Sequence, residues 1–178
     1  MSTPSRRVVT TLAAVQLLAV GLWASGLATL GAVVAPIVFR VVPAPGSADA
    51  MTLVFRRFDS IAITCAVVAL VAEAGFAVRG GKLTRADVVR GICLAGATAL
   101  AITIGAWLSP GIAELHRGGA IRNLGEAGLA LERLHRLAES VAKVELLLLL
   151  IVFILTVAKT TRPHSDGTPP ASRPPDPR

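Results

Sequence analysis

Charged side chains and metal-binding side chains are both scarce in this sequence of 178 residues. Only 16% of the residues are charged, and there are two cysteines, three histidines and two methionines. Neither Cys65 nor Cys93 belongs to a Cys-x-x-Cys pair, which is the spacing typical of zinc and redox sites. The histidines are too few for the ligand sets that zinc and copper centres use. We therefore expect no metal site and no cofactor.

The sequence motifs of common catalytic sites are also missing. The chain contains no P-loop, no Gly-x-Gly-x-x-Gly, no His-Glu-x-x-His and no nucleophile elbow. No catalytic residue is assigned for this reason, and a non-enzymatic role is favoured over an enzymatic one.

Two long runs without charge dominate what is present. One covers 32 residues from Val8 to Phe39, and another extends from Gly91 to Ala113. A helix needs about 20 apolar residues to cross the hydrocarbon core of a bilayer, and the mean hydropathy is +0.68. These runs predict an integral membrane protein with the lipid bilayer as its partner. The net charge of +7 comes from basic residues beside the apolar runs, which is typical of topology signals and not of nucleic-acid binding.

The predicted fold class is all-α: a polytopic membrane four-helix bundle with helix extensions on the outer side. A short N-terminal tail (1–7) precedes a four-span transmembrane domain (8–160). The Pro-rich C-terminal tail (161–178) is expected to be disordered, because it cannot bury apolar surface. The four spans are predicted at about 8–38, 58–78, 88–108 and 137–158.

The distribution of basic residues predicts the orientation. Ten basic residues and three aspartates lie on the side of the two termini, and seven basic residues are balanced by six acidic ones on the other side. The basic residues on the side of the termini are Arg6, Arg7, Arg79, Lys82, Arg85, Arg90, Lys159, Arg162, Arg173 and Arg178. This excess predicts that both termini are cytoplasmic, in the cell membrane of a bacterium.

A stripe of polar residues follows one face of the fourth helix. Glu132, His135, Glu139 and Lys143 are spaced three or four residues apart, so they share a face. One interpretation is a proton or ion relay, or a ligand-binding edge, because ionisable residues inside a membrane are often functional. The other is ordinary pairing of Glu139 with Lys143 and of Glu132 with Arg136 at a solvated helix end.

Charged residues near the start of the second span allow two interpretations as well. In the first interpretation, Asp59 or Arg57 contacts the polar stripe of the fourth helix. In the second, these charged residues only mark the boundary between membrane and water. Glu132 and His135 form a Glu-x-x-His pair, but carboxylate-bridged metal bundles need that pair twice. The candidate functional polar cluster consists of Arg57, Asp59, Glu132, His135, Glu139, Lys143 and Glu145.

Small residues on the first span are candidates for a structural role. Gly21, Ser25, Ala28 and Ala32 fall on one face, which is typical of surfaces where helices approach closely in lipid. This face is interpreted as a packing face, with a homodimer seam as the alternative. Pro36 near the end of the span predicts a kink or a helix stop.

The order of several short elements resembles the transmembrane-protein-205-like family, which in bacteria is a domain of unknown function. The elements are Ala35–Arg40 with its Pro-x-x-Phe, Val54–Phe58, Pro110 followed by Glu114-Leu115, and Leu134-His135-Arg136. The resemblance covers about Leu12 to Ala158. It implies a four-helix integral membrane domain without an established bacterial activity, and it singles out Pro36, Phe39, Arg57, Phe58 and His135. The family pattern usually has a serine shortly after its Leu-His element, and here Ala138 stands close to that place and Ser140 follows.

Three functional hypotheses follow from the sequence. The first is a non-enzymatic binding or scaffolding membrane protein, with a homo-oligomer as one form of it. The second is a small transporter or proton-coupled permeation unit that uses the charged residues of span four. The third is a metal- or haem-binding membrane enzyme centred on His135.

Overall fold

The computed structural model describes residues 6–43, 46–79 and 83–161. The predicted C-terminal tail lies outside these residues apart from Thr161, and the predicted N-terminal tail lies outside them apart from Arg6 and Arg7. Within the described ranges the chain is helical and contains no strand. The helices are α1 (Arg6–Thr29), α2 (Ala35–Val41), α3 (Gly46–Arg79), α4 (Arg85–Thr103), α5 (Ser109–Arg117) and α6 (Gly125–Thr161).

Four continuous helical segments are long and apolar enough to cross a membrane. They are Arg7–Val41, Gly46–Val78, Arg85–Arg117 and Gly125–Thr161, with lengths of 35, 33, 33 and 37 residues. The protein is therefore a multi-pass membrane protein, and the predicted all-α four-helix bundle is confirmed. The second and fourth segments begin about 12 residues before the predicted apolar spans, which corresponds to about 18 Å of additional helix.

The first and third segments continue through their prolines by means of a wider helical turn. π-Helical turns occupy Leu30–Val34 and Ile104–Leu108, directly before Pro36 and Pro110. A proline in a regular helix collides with the carbonyl four residues earlier and has no N–H to donate. The wider turn makes room for the proline ring, so the helix does not stop at Pro36 and continues to Val41.

The two wide turns also share a sequence. Leu30-Gly-Ala-Val-Val-Ala-Pro36 and Ile104-Gly-Ala-Trp-Leu-Ser-Pro110 have glycine, alanine and proline at matching positions, 74 residues apart. The same offset relates Gln16 to Arg90, which are both buried. The first and third membrane segments therefore resemble each other in sequence, as expected if the two halves of the bundle are an internal repeat.

The helices pack as a ring of four. α1 and α4 each contact both α3 and α6, which places α1 diagonally opposite α4. The buried core consists mainly of small residues around three larger side chains, Trp23, Leu94 and Leu149, all of which have 0% exposure. Large apolar side chains such as Leu18, Ile92 and Ile154 cover the outside. An apolar exterior over a small-residue core is the arrangement expected of helices packed in lipid.

The candidate structural residues are distributed between the core and the surface. The Phe58 ring packs on Gly26, where an added Cβ would lie 2.4 Å from the ring, so α1 and α3 approach closely there. Gly21 is half-buried and faces Phe153. Ser25 and Phe39 are exposed, as are Ala28, Ala32 and Pro36. Most of the small-residue face of α1 is therefore turned away from the bundle, and the opposite face with Gln16 and Trp23 packs inside it.

Candidate functional site

Polar side chains collect at three levels of the bundle. The bundle has an N-terminal end, where α1 and α4 begin and α3 and α6 end, and a loop end, which carries α2 and α5. The loop cluster comprises His116, Arg122, Glu132, His135 and Arg136. The central layer comprises Trp23, Asp59, Gly105 and Glu145. The Arg90 network, at the N-terminal end, comprises Gln16, Glu73, Asp87, Arg90, Thr156 and Lys159.

The loop cluster is built around the Glu132 carboxylate near the start of α6. It accepts hydrogen bonds from the guanidinium groups of Arg122 and Arg136, the latter at 2.8 Å. The hydrogen bond that Arg122 donates to Glu132 raises the pKa of Arg122, which lies in the loop before α6. The predicted pairing of Glu132 with Arg136 is present within α6, and the pair of Arg122 with Glu132 ties the loop to the helix.

His135 lies beside a second histidine that the sequence does not place near it. The ring of His116 at the end of α5 contacts the His135 ring edge-on, with 5.9 Å between the ring centres. In the part of the chain that the structure describes, no three histidine, cysteine, aspartate or glutamate side chains form a group that could hold a metal ion.

The half of the predicted stripe that lies deeper along α6, Glu139 and Lys143, is exposed on the side of the bundle. Lys143 donates to Glu139 at 2.7 Å, and the two side chains are 72% and 64% exposed. Arg57 is also exposed. An exposed pair of this kind contributes little to stability, because water screens the two charges. The stripe thus divides, because Glu132 turns into the bundle while Glu139 and Lys143 turn out of it.

Glu145 is the acidic residue of the central layer and is 2% exposed. Its Oε1 accepts a hydrogen bond of 2.8 Å from the indole Nε1–H of Trp23, whose side chain is fully buried. Its Oε2 is buried and has no hydrogen-bond partner among the described residues. An unsatisfied oxygen in a packed interior costs free energy, and buried polar groups of this kind call for a functional explanation.

Asp59 brings a second carboxyl group to the same layer. An added Cβ on Gly105 would lie 3.5 Å from the Asp59 carboxyl, so this side chain lies directly against the wide turn of the third segment. The same wide turn also contacts α6, the helix that carries Glu145. Neither carboxyl forms an ion pair with a basic side chain within the described ranges.

The Arg90 network contains the most buried charge of the structure. Arg90 is 1% exposed and binds Glu73 through two hydrogen bonds, Nε to Oε2 at 2.7 Å and Nη2 to Oε1 at 2.8 Å. Its Nη1 donates to Asp87 at 3.0 Å, and Lys159 donates to the same carboxylate at 2.6 Å. The Phe76 ring faces both cations, at 5.0 Å from Arg90 and 4.5 Å from Lys159. Two cations and two anions thus balance each other in one compact group.

All four segments contribute to this network. Gln16 of α1 donates to Glu73 at 2.8 Å and accepts from Thr156 of α6 at 3.0 Å. Asp87 also closes a capping box with Thr84 at the start of α4. A bidentate ion pair whose remaining atoms are hydrogen-bonded is the arrangement in which buried charge is tolerated. The network therefore fastens the four helices to one another at this end.

Sequence analysis missed the Arg90 network because it counted Arg90, Asp87 and Lys159 as loop charges. Two signals point to the network. Glu73 is an ionisable residue near the end of an apolar span, which requires a partner, and Arg90 is the basic residue that follows it after a short connection. Thr84 and Asp87 also have the spacing of a capping box, which places the start of α4 before Arg90 and puts Arg90 inside the helix.

Residues 18–120 match a family described as a domain of unknown function, DUF4149. The chain belongs to the DUF4149 family. The matched residues include Trp23, Asp59, Glu73 and Arg90, whereas α6 with Glu145 follows them. No curated protein and no solved structure matches the chain. The four apolar helices make this DUF4149 chain an integral membrane protein, and its activity has to be argued from its own side chains.

Proposed function

We propose that the protein is a small proton-coupled transport or permeation unit, in which Glu145 takes up and releases the proton. The observation that carries this proposal is the Glu145 carboxyl, which is 2% exposed, lies in the middle of the bundle and has an oxygen without a partner among the described residues. Ionisable groups inside a membrane mark ion and proton pathways.

The arrangement of the other charges supports this role for Glu145. Glu73 and Asp87 are held by Arg90, and Glu132 is held by two arginines, so each of these carboxylates has a fixed cationic partner. Glu145 has only the neutral indole of Trp23. A carboxyl group without a fixed counter-ion is the one that is free to exchange a proton.

The distances between the three polar levels of the bundle support a proton path that has a barrier at one end. Gln16 precedes Trp23 by seven residues on α1, so the Arg90 network lies about 10 Å from the central layer. Glu132 precedes Glu145 by 13 residues on α6, which is about 20 Å. The Arg90 network thus closes the nearer end, and Asp59 lies against the wide turn of the third segment, beyond the central layer's Trp23 as seen from that network.

Proton flux into proteoliposomes tests the proposal. An imposed membrane potential should drive proton uptake, followed with a trapped pH-sensitive dye, in vesicles that contain the wild-type protein. Glu145→Gln should lower the flux at least about tenfold, because the amide keeps the hydrogen bond to Trp23 but cannot carry the proton. Lys143→Ala is the matched control, since Lys143 lies on the same helix and is exposed.

Two results would contradict the proposal. One is a flux in Glu145→Gln that equals that of Lys143→Ala. The other is wild-type flux that does not exceed that of empty vesicles, provided that the protein has the helical content of the structure.

We also propose the cellular setting that the charge distribution favours, with both termini in the cytoplasm and the four spans in the inner membrane of a bacterium. The excess of basic residues beside the N-terminal end of the bundle supports this orientation. A fluorescent reporter protein fused after Arg178 should be active, and a fused reporter that needs export should be inactive. The reverse pattern would overturn the orientation.

A binding or scaffolding role is the second candidate function, and one observation favours it. Ser25, Ala28 and Ala32 form an exposed small-residue face on α1, of the kind that helices use to associate in lipid. A homo-oligomer built on this face would need no flux, so folded protein without proton uptake supports this candidate over the first. We further propose that the chain is related to the transmembrane-protein-205-like proteins, on the residues that carry the resemblance.

A further inference from the structure

We propose that Asp59, Glu145 and the wide turn at Ile104–Leu108 form a binding site for a small monovalent cation of the sodium type. This inference rests on the proposed function, because it names the ion that shares the central layer with the proton. Its test, however, measures binding and not flux.

Two acidic side chains without a cationic partner lie beside the wide turn and the helix packed on it. The buried Oε2 of Glu145 on α6 has no partner in the described part of the chain, and the Asp59 carboxyl lies against Gly105 of the wide turn, which itself contacts α6. Carboxylate oxygens are hard ligands that suit hard cations. Two acidic groups in a membrane interior create a local demand for positive charge, and neither forms an ion pair with a described basic residue.

The wide turn contributes a backbone oxygen at the residue that faces Asp59. The Ser109 N–H donates to the Ile104 carbonyl, five residues earlier. The next residue is Pro110, which has no N–H. The Gly105 carbonyl is consequently left without a regular donor in its own helix, and Gly105 is the residue that lies against the Asp59 carboxyl. Released carbonyls in interrupted membrane helices coordinate sodium ions in transporters.

The number of donors favours a monovalent ion over a divalent one. Magnesium needs nearly octahedral oxygen coordination, and calcium takes six to eight oxygens. The described residues contain no group of three metal-binding side chains, so the layer offers two carboxyl groups and a backbone oxygen. A monovalent cation is less costly to dehydrate, and a proton on one carboxyl can accompany the cation on the other.

Trp23 reports directly on this site, since its Nε1–H donates to Glu145. The chain has two tryptophans, and Trp107 is 67% exposed. In full-length Trp107→Phe protein in mild detergent, titration with sodium chloride at constant ionic strength should change the Trp23 emission with saturation. The same titration with choline chloride should give no saturable change, because choline is too large for a cluster of carboxylate oxygens.

Variants in this background locate the site. Glu145→Gln should abolish the saturable response, and Asp59→Asn should weaken the apparent sodium affinity at least tenfold. Glu139→Gln is the control, because Glu139 is an exposed carboxylate of the same helix, and it should leave the response unchanged. If Glu145→Gln does not fold, the Asp59→Asn titration and the comparison of sodium with choline decide whether the cation site exists.

The outcomes separate this inference from the proposed function. Equal responses to sodium and choline, or a sodium response that survives in Glu145→Gln or Asp59→Asn, would overturn the cation site. Proton flux through Glu145 without a saturable sodium response would also overturn it while the proposed function stands. A saturable response in a protein without flux would support the site and contradict the proposed function.

Discussion

Replacement of Arg90 by alanine should destabilise the folded bundle by about 3–5 kcal/mol, the cost of removing one partner from a buried ion pair. Arg90 is 1% exposed and supplies three hydrogen bonds, two to Glu73 and one to Asp87. Without it Glu73 retains only the amide of Gln16, and a carboxylate remains inside the bundle without a cation.

The measurement is the helical circular dichroism of detergent-solubilised protein during unfolding by increasing denaturant. Arg85→Ala is the matched control, because Arg85 is exposed at the start of the same helix. Arg90→Lys should fall between Arg90→Ala and the wild type, since lysine keeps the charge but cannot bind Glu73 with two parallel hydrogen bonds. Equal stability of Arg90→Ala and Arg85→Ala would show that the network does not hold the helices together.

Replacement of Trp23 by alanine should cost a similar amount, about 3–5 kcal/mol, because it leaves a large cavity in the core. The Trp23 side chain has 0% exposure and belongs to a core to which α3 and α4 contribute mainly small residues and α6 contributes Leu149 and Val152. The substitution also removes the hydrogen-bond donor to Oε1 of Glu145, so neither oxygen of that carboxyl group then has a partner among the described residues.

Trp23→Phe separates the two effects. Phenylalanine fills most of the space but cannot donate, so the expected loss is about 1–3 kcal/mol, the cost of an unsatisfied buried group. Trp107→Ala serves as the control in the same unfolding assay, with an expected change within about 0.5 kcal/mol, because its side chain is 67% exposed. A Trp23→Ala protein as stable as Trp107→Ala would rule out a structural role for the indole.

The sequence predicts the fold well because long uncharged runs have few alternatives in a membrane protein. Every backbone polar group in lipid must be paired, which leaves the helix as the form for such a run. The prolines are harder to interpret from sequence. Pro36 predicts a kink or a stop, whereas the preceding turn widens and the helix continues to Val41.

The site is only partly accessible to sequence reasoning, since periodicity gives the face of a helix but not which helix that face meets. Glu145, Asp59 and the Glu132–Arg136 pair are identified from the sequence, but the contact of Trp23 with Glu145 joins residues 122 positions apart. Charge counting likewise places Arg90 in a loop, although its partner Glu73 draws it into the bundle. Lys143 has the right spacing for the stripe and nevertheless points outward.

The two wide turns have a mechanical consequence. A turn with an extra residue and a carbonyl released from regular pairing bends more easily than a regular one, and both turns lie in diagonally opposite helices at matching depth. α2 and α5 follow these turns, so we expect them to tilt as a pair while the Arg90 network holds the other ends of the helices fixed. Any opening of the bundle is then expected at the loop end, with the hinge at the two wide turns.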